Sequence, residues 1–398
     1  MKRISLDLNS KALEPHRDYY SLPIGRLLQM LSTGLDDAGR PCRVFRYKGH
    51  VDWVDVVGRL CIRPQLAWFY GLHRKYDIPA CPSDRIRDLA EELRQGPTGG
   101  LRGVRGWLLK RLMKDLFAYG HFCFGEMLVI DLKRVVSGVA EYRCWWKGCG
   151  RGKASSWSAW HYYRYLTEDA SSPLRYCPYC NADTLYAFTF NGCTGKDADL
   201  RFARSALDHF YSQKDYPALA MTLSNLVPAC TRCNSRFKAD GDVDANGLGL
   251  ALPYVDDMDG LFRFTWGNQV GQALICACTP RTIKVEFEDE EQMKNTLAGR
   301  TLECFHIKDV YKCMFAREIC EIPLMLNAAY SLVDVDSARV LKGGSPCTPI
   351  QFPDRIPGWD DQWKRLVLDC PETRADINKH RLSKIKMDLV EELENSRC

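Results

Sequence analysis

No apolar run in this sequence approaches the ~18 residues that a helix needs to cross a bilayer. The longest candidate, IPLMLNAAYSLV at 322–333, reads as a buried helix instead. The opening residues, MKRISLDLNSK, hold no apolar h-region, so no secretory signal is expected. Low-complexity tracts and internal repeats are missing too, which excludes solenoid and disordered-tract architectures. With neither signal nor span, the expected location is the cytoplasm, where disulfides are rare. The 19 cysteines, an odd number, are therefore read as reduced thiols plus metal ligands rather than as a disulfide framework. Most of the scattered ones are expected to be small buried hydrophobes.

A chain of 398 residues has room for two or three domains, each with its own core. Its net charge of +5 is unevenly spread: residues 1–140 carry +8, residues 141–240 carry +4, and residues 241–398 carry −7. The basic surplus lies in and before the motif-bearing segment. That suits a polyanionic partner, although the excess alone is weak support.

Four segments follow from the patterning. Residues 1–140 form a basic, mainly helical region of unassigned role. Within it, SDRIRDLAEELRQG (83–96) has a capping serine, an apolar stripe and a glycine stop. The next helix, at 101–120, carries Arg102, Arg105, Lys110, Arg111 and Lys114. They could track a phosphate backbone, but a merely solvated basic face is the preferred account. Residues 141–176 are an irregular, aromatic-rich connector. Residues 177–260 hold the motifs. Residues 261–398 form an acidic region in which FRFTW and TIKVEFE read as strands, 308–333 as one or two helices, and RLSKIKMDLVEELENS as a last helix.

Two CxxC pairs stand out, Cys177/Cys180 in YCPYCN and Cys230/Cys233 in ACTRCNS. Each is a knuckle that presents two thiolates, and two knuckles complete a tetrahedral structural zinc site. Forty-nine residues separate Cys180 from Cys230, so zinc would clamp the ends of a sizeable excursion. That excursion contains Asp208, His209 and Asn225, and Asn234 directly follows the last cysteine. Taken singly, each has a plain structural account: a helix cap, a core histidine, a turn former, a turn after a knuckle. Their joint order between zinc knuckles is what points to a site. Elsewhere, Cys144 and Cys149, with Cys123 or His161, could make a second zinc site, though CxxxxC is a loose spacing. Cys276 and Cys278 read as alternating strand residues, and His16, His50, His73, His121, His306 and His380 as structural.

The order CPYC, DH, N and CxxCN, followed by basic residues, resembles the HNH endonucleases, the His-Me finger or ββα-metal group. More narrowly, LDHFYSQKDYPALAMTLSNLVPACTRCNSRFK is similar to the zinc-clamped members found in bacterial defence and restriction loci, Septu-type HNH components among them. The motif match covers about 177–240. The resemblance implies an α+β fold: a zinc-clamped ββα-metal core with a mainly helical N-terminal region and a mixed C-terminal region. It implies His209 as general base, because an imidazole titrates near working pH. Asp208 and Asn234 would hold a catalytic Mg²⁺ or Mn²⁺ through oxygen atoms. Asn225 would brace the loop and orient His209, and Lys214, Arg236 and Lys238 would touch phosphates. The family's final histidine is Asn234 here, whose carbonyl suits Mg²⁺ better than Zn²⁺. The implied activity is phosphodiester hydrolysis of nucleic acid, DNA more than RNA, leaving 5′-phosphate and 3′-hydroxyl ends. The implied setting is antiviral defence beside a protein partner such as an ATPase sensor. The competing expectation is a non-catalytic zinc-ribbon module, or a regulatory subunit, that grips nucleic acid without cutting it.

Overall fold

In the computed structural model, the structure describes residues 2–33, 46–47, 51–52, 63–96, 113, 117, 159–170, 173–189, 202–238, 243, 249–266, 286–322, 325, 368–371 and 373–395. The chain divides into two compact units. The first comprises Met1–Ile4, Ser171–Tyr186 and Ala229–Cys398; the second comprises Ser5–Ala170 and Ala187–Pro228. This differs from the four consecutive segments expected from composition. The motif segment 177–260 is shared out between the units, because the knuckles pack with the C-terminal elements and the Asp-His excursion packs with the N-terminal helices. The basic helix expected at 101–120, apart from the buried Met113 and Phe117, lies outside the described residues, as do the Cys144/Cys149 pair, Cys276 and Cys278. No helix among the described residues is long and apolar enough to cross a membrane.

The second unit is built on the helices Leu22–Thr33 and Arg63–Tyr76. Ile24 and Leu28 from one, and Leu66, Phe69 and Leu72 from the other, are fully buried at the spacing of one helical face. Gly25 lets the His73 imidazole pack on the helix backbone: a Cβ there would stand 2.6 Å from the ring's Cε1. His73 is held by a 3.1 Å hydrogen bond between Nε2 and the Ser21 carbonyl. The helix expected at 83–96 starts as a 3-10 turn over Ser83–Arg85 and becomes α-helical over Ile86–Gln95. Ser83 is the first residue of that turn rather than its cap, and Gly96 ends the helix. Two short two-stranded sheets complete the described part near the motif: Ala187–Thr189 pairs antiparallel with Phe202–Arg204, and Ala206–His209 pairs with Leu226–Ala229.

In the first unit the expected strands are present but short, Phe264–Thr265 pairing antiparallel with Glu286–Phe287. The helical stretch after Lys308 is broken: one helix covers Ile307–Met314, and residues 316–322 are helical again after Phe315. The last helix, Ser383–Asn395, supplies carboxylates to the open hydrogen-bonding edge of the short sheet. Asp388 accepts the Phe264 N–H at 2.9 Å and Glu392 accepts the Trp266 N–H at 2.8 Å. Those contacts satisfy backbone donors that a two-residue strand leaves unpaired. Behind them, Lys384 is completely buried, 2.7 Å from Asp388 and 3.2 Å from Asp259, and Arg374 bridges the same two carboxylates at 2.8 and 2.6 Å.

Candidate metal centre and Asp-His hairpin

The sequence places the two thiols of each knuckle three residues apart, and the fold of the first unit brings the two knuckles together. All four sulfurs, of Cys177, Cys180, Cys230 and Cys233, are buried and lie within 4.8 Å of one another. A zinc ion with bonds of about 2.3 Å to each sulfur would set the tetrahedral edges near ~3.8 Å, so the cluster fits one ion with little adjustment. Each knuckle closes with a backbone bond from the residue after it: Asn181 N–H to Cys177 O at 2.7 Å, and Asn234 N–H to Cys230 O at 3.0 Å.

Hydrogen bonds from the three neighbouring thiols hold Cys180 well below the ordinary thiol range. Burial, with hydrogen bonds to Cys180 and Cys230, pushes Cys177 well above it. Hydrogen bonds from Cys177, Cys180 and Cys230 raise Cys233 likewise. Cys177 and Cys233 thus resist ionisation in these buried surroundings, which a bound cation would offset. Four soft donors, joined among the described residues by no carboxylate or imidazole, form a set suited to a closed structural zinc site.

Two supports of this centre carried no signal as ligands. Asn181 takes the left-handed conformation (φ 52°) that asparagine tolerates better than most residues. Its buried amide donates to Ile377 O at 3.0 Å and accepts from Ser383 Oγ at 3.0 Å, tying the first knuckle to the C-terminal helix. Tyr311, fully buried, donates its hydroxyl to Cys180 O at 2.6 Å.

In the second unit, Asp208 and His209 end the strand Ala206–His209. Alternation along a strand sends them to opposite faces; Asp208 is 3% exposed and His209 is partly exposed. His209 Nε2 lies 3.1 Å from the Ala220 carbonyl. A carbonyl only accepts, so Nε2 carries the hydrogen and the neutral ring has its basic lone pair on Nδ1.

Asn225 is fully buried where the chain turns into the paired strand. Its Nδ2 donates to Tyr211 O at 3.1 Å and Leu219 O at 3.0 Å, and its Oδ1 accepts from Tyr211 N–H at 2.7 Å. Both ends of the 211–219 loop are thereby fixed, and with them the carbonyl that orients His209.

The approach to Asn225 is held by residues distant in sequence. His16 Nε2 bonds Met221 O at 3.1 Å, Thr222 Oγ1 donates to Ile78 O at 2.9 Å, Tyr162 donates to Leu223 O at 2.7 Å, and Ser224 Oγ donates to Cys81 O at 2.8 Å. The N-terminal helical region, whose role the sequence leaves open, forms the frame of the Asp-His hairpin. Nothing in His16, Tyr162, Thr222 or Ser224 as residue types distinguishes them from any other polar residue.

Asn234 belongs to the first unit, at the second position of the short helix Cys233–Lys238. Its Nδ2 donates to Ser235 Oγ at 3.2 Å, and among the described residues its Oδ1 accepts no hydrogen bond. Lys214 and Arg236 are exposed. Lys238, expected among the phosphate contacts, is only 4% exposed, so in this conformation it is enclosed by protein rather than offered to a polyanion. Compared with protein-family models, curated proteins and solved structures, the chain matches none. What the geometry defines by itself is a class: a two-unit α and β protein with a buried four-cysteine centre able to hold zinc.

Proposed function

We propose that the protein is a metal-dependent HNH-type endonuclease that hydrolyses nucleic-acid phosphodiester bonds, with DNA as the expected substrate and a zinc-clamped ββα-metal core as its catalytic part. The observation that carries the reading is the state of His209. Its ring is oriented through Nε2 by the Ala220 carbonyl, on a loop pinned by Asn225, and the neutral ring then carries its basic lone pair on Nδ1. Asp208 and Asn234 are assigned as the oxygen ligands of a Mg²⁺ or Mn²⁺ ion, on the order of the motif and on the hard-donor character of both groups. Such an ion, when bound, would neutralise charge on the scissile phosphate and the leaving oxygen. Lys214 and Arg236, both exposed, are the assigned phosphate contacts. The setting proposed is cytoplasmic antiviral defence with a protein partner such as an ATPase sensor, and it rests on the resemblance alone.

One observation favours the second reading, a non-catalytic zinc-ribbon nucleic-acid-binding module or regulatory subunit. Asp208 is nearly as buried as the core around it, and a carboxylate that must bind a cation needs a path to solvent. Plasmid cleavage separates the two. Zinc-loaded protein is incubated with Mg²⁺ or Mn²⁺ beside His209→Ala, with nucleic-acid binding measured in parallel. Cleavage lost in the variant while binding persists supports the nuclease. Binding without cleavage by folded wild-type protein selects the binding module.

A further inference from the structure

Arg232 lies inside the second knuckle, between Cys230 and Cys233, and its side chain is only 18% exposed. Its Nη1 donates to Met314 Sδ, and its Nη2 stands 2.9 Å from Asp183 Oδ2. Asp183 belongs to the turn of the first knuckle, where its carbonyl accepts the Cys177 N–H at 2.9 Å. Arg232 therefore links the two knuckles by a route other than the thiols themselves.

The guanidinium is nevertheless incompletely satisfied. Nε is buried with no hydrogen-bond acceptor of good geometry among the described residues, and Nη2 meets only the Asp183 carboxylate. Buried charged donors without acceptors are costly, so the fold has reason to provide one. The neighbouring groups that act on this guanidinium, besides Asp183, are the sulfurs of Cys180 and Cys230. A protonated thiol is a weak acceptor. Zinc binding removes the thiol protons and leaves a tetrathiolate with a net charge of −2 in buried surroundings. Sulfurs of that kind are strong acceptors, and a single positive charge beside them offsets part of the excess.

We propose that Arg232 is the outer charge partner of the four-cysteine centre, donating N–H···S hydrogen bonds to the Cys180 thiolate and setting how tightly the chain holds zinc. The role rests on the reading of the cluster as a zinc site. It assigns Arg232 to the metal rather than to nucleic acid, for which its buried donors are badly placed. Partners of this kind, one shell beyond the ligands, change metal affinity by about 10–100-fold when removed.

The test uses the full chain, with Co²⁺ as a spectroscopic probe and a chromogenic chelator competing for Zn²⁺. Wild type, Arg232→Met and Arg232→Lys are compared, with folding checked by circular dichroism. Arg232→Met should bind Zn²⁺ about 10–100-fold more weakly. Its Co²⁺ form should keep tetrahedral ligand-field bands but shift the sulfur-to-cobalt charge-transfer band, since the Cys180 sulfur loses its donor. Arg232→Lys, which keeps the charge but not the fork, should fall between. Equal zinc affinity and an identical charge-transfer band in Arg232→Met would overturn the role while leaving the zinc site intact. If Arg232→Met fails to fold, wild-type affinity in Arg232→Lys overturns it. A folded wild-type chain that gives no tetrahedral thiolate spectrum overturns the zinc site itself, and Arg232 with it.

Discussion

Removing the Asn225 amide is the sharpest structural test of the Asp-His hairpin. Asn225→Ala deletes three buried hydrogen bonds at once. The consequences differ by partner. Leu219 O also accepts the Thr222 N–H at 3.1 Å, so it keeps a donor. The Tyr211 N–H loses the acceptor that holds it at 2.7 Å in a buried position. An orphaned buried donor costs about 1–3 kcal/mol, and each of the two lost carbonyl bonds about 1 kcal/mol, for a total of roughly 3–5 kcal/mol. Urea unfolding of the full chain, followed by a probe in the second unit, measures it. A loss below about 1 kcal/mol, with an unchanged m-value, would refute the reasoning. Asn225→Asp sharpens the test, because it is isosteric yet turns an oxygen toward two carbonyls. Burial and those carbonyls raise the folded-state pKa of the introduced carboxyl above its unfolded value of about 3.9. Its protonated form then restores one donor. The variant should be best tolerated below pH ~3.9 and lose stability as pH rises through the raised pKa. A variant that instead gains stability with rising pH would show the amide's orientation to be reversed.

Burial lowers His16 from 6.5 to about 4 despite its bond to the Met221 carbonyl. The folded state therefore binds fewer protons than the unfolded chain between these values. Stability from this residue is full above pH 6.5 and is lost as pH falls through about 4. The total is about 3 kcal/mol, and His16→Gln should flatten that part of the stability–pH curve measured by urea unfolding; parallel curves would contradict it. In the first unit, Lys384→Met leaves Asp388 and Asp259 short of a buried cation and should cost about 3–5 kcal/mol. The exposed Arg263–Glu391 pair should be worth less than about 1 kcal/mol. Denaturation of Lys384→Met beside Arg263→Ala checks the ordering, and similar losses in both would show the buried cluster to be dispensable.

The zinc knuckles were legible in the residues because their geometry is local: three-residue spacing puts two sulfurs on one turn, and four donors close a tetrahedron. The short strands 264–265 and 286–287 and the helix 383–395 were legible for the same reason, their side-chain periods being written in neighbouring residues. The charge of the C-terminal region was legible too, but not its use. The −7 of residues 241–398 does not say by itself which cations its carboxylates meet. In the fold, Asp259, Asp388, Glu391 and Glu392 pair with Arg374, Lys384, Arg263 and backbone N–H groups of their own unit.

What only the tertiary structure decided are the contacts between distant residues. His16 reaches Met221 across 205 positions, and Thr222 and Ser224 reach Ile78 and Cys81 across 144 and 143. The chain's division into two discontinuous units is of the same kind. Composition and periodicity record which faces of an element are apolar, and metal spacing records which donors can share an ion. Neither records which backbone carbonyl a buried hydroxyl or imidazole will meet. That choice is made when the packed core removes water and each buried polar group must find a protein partner.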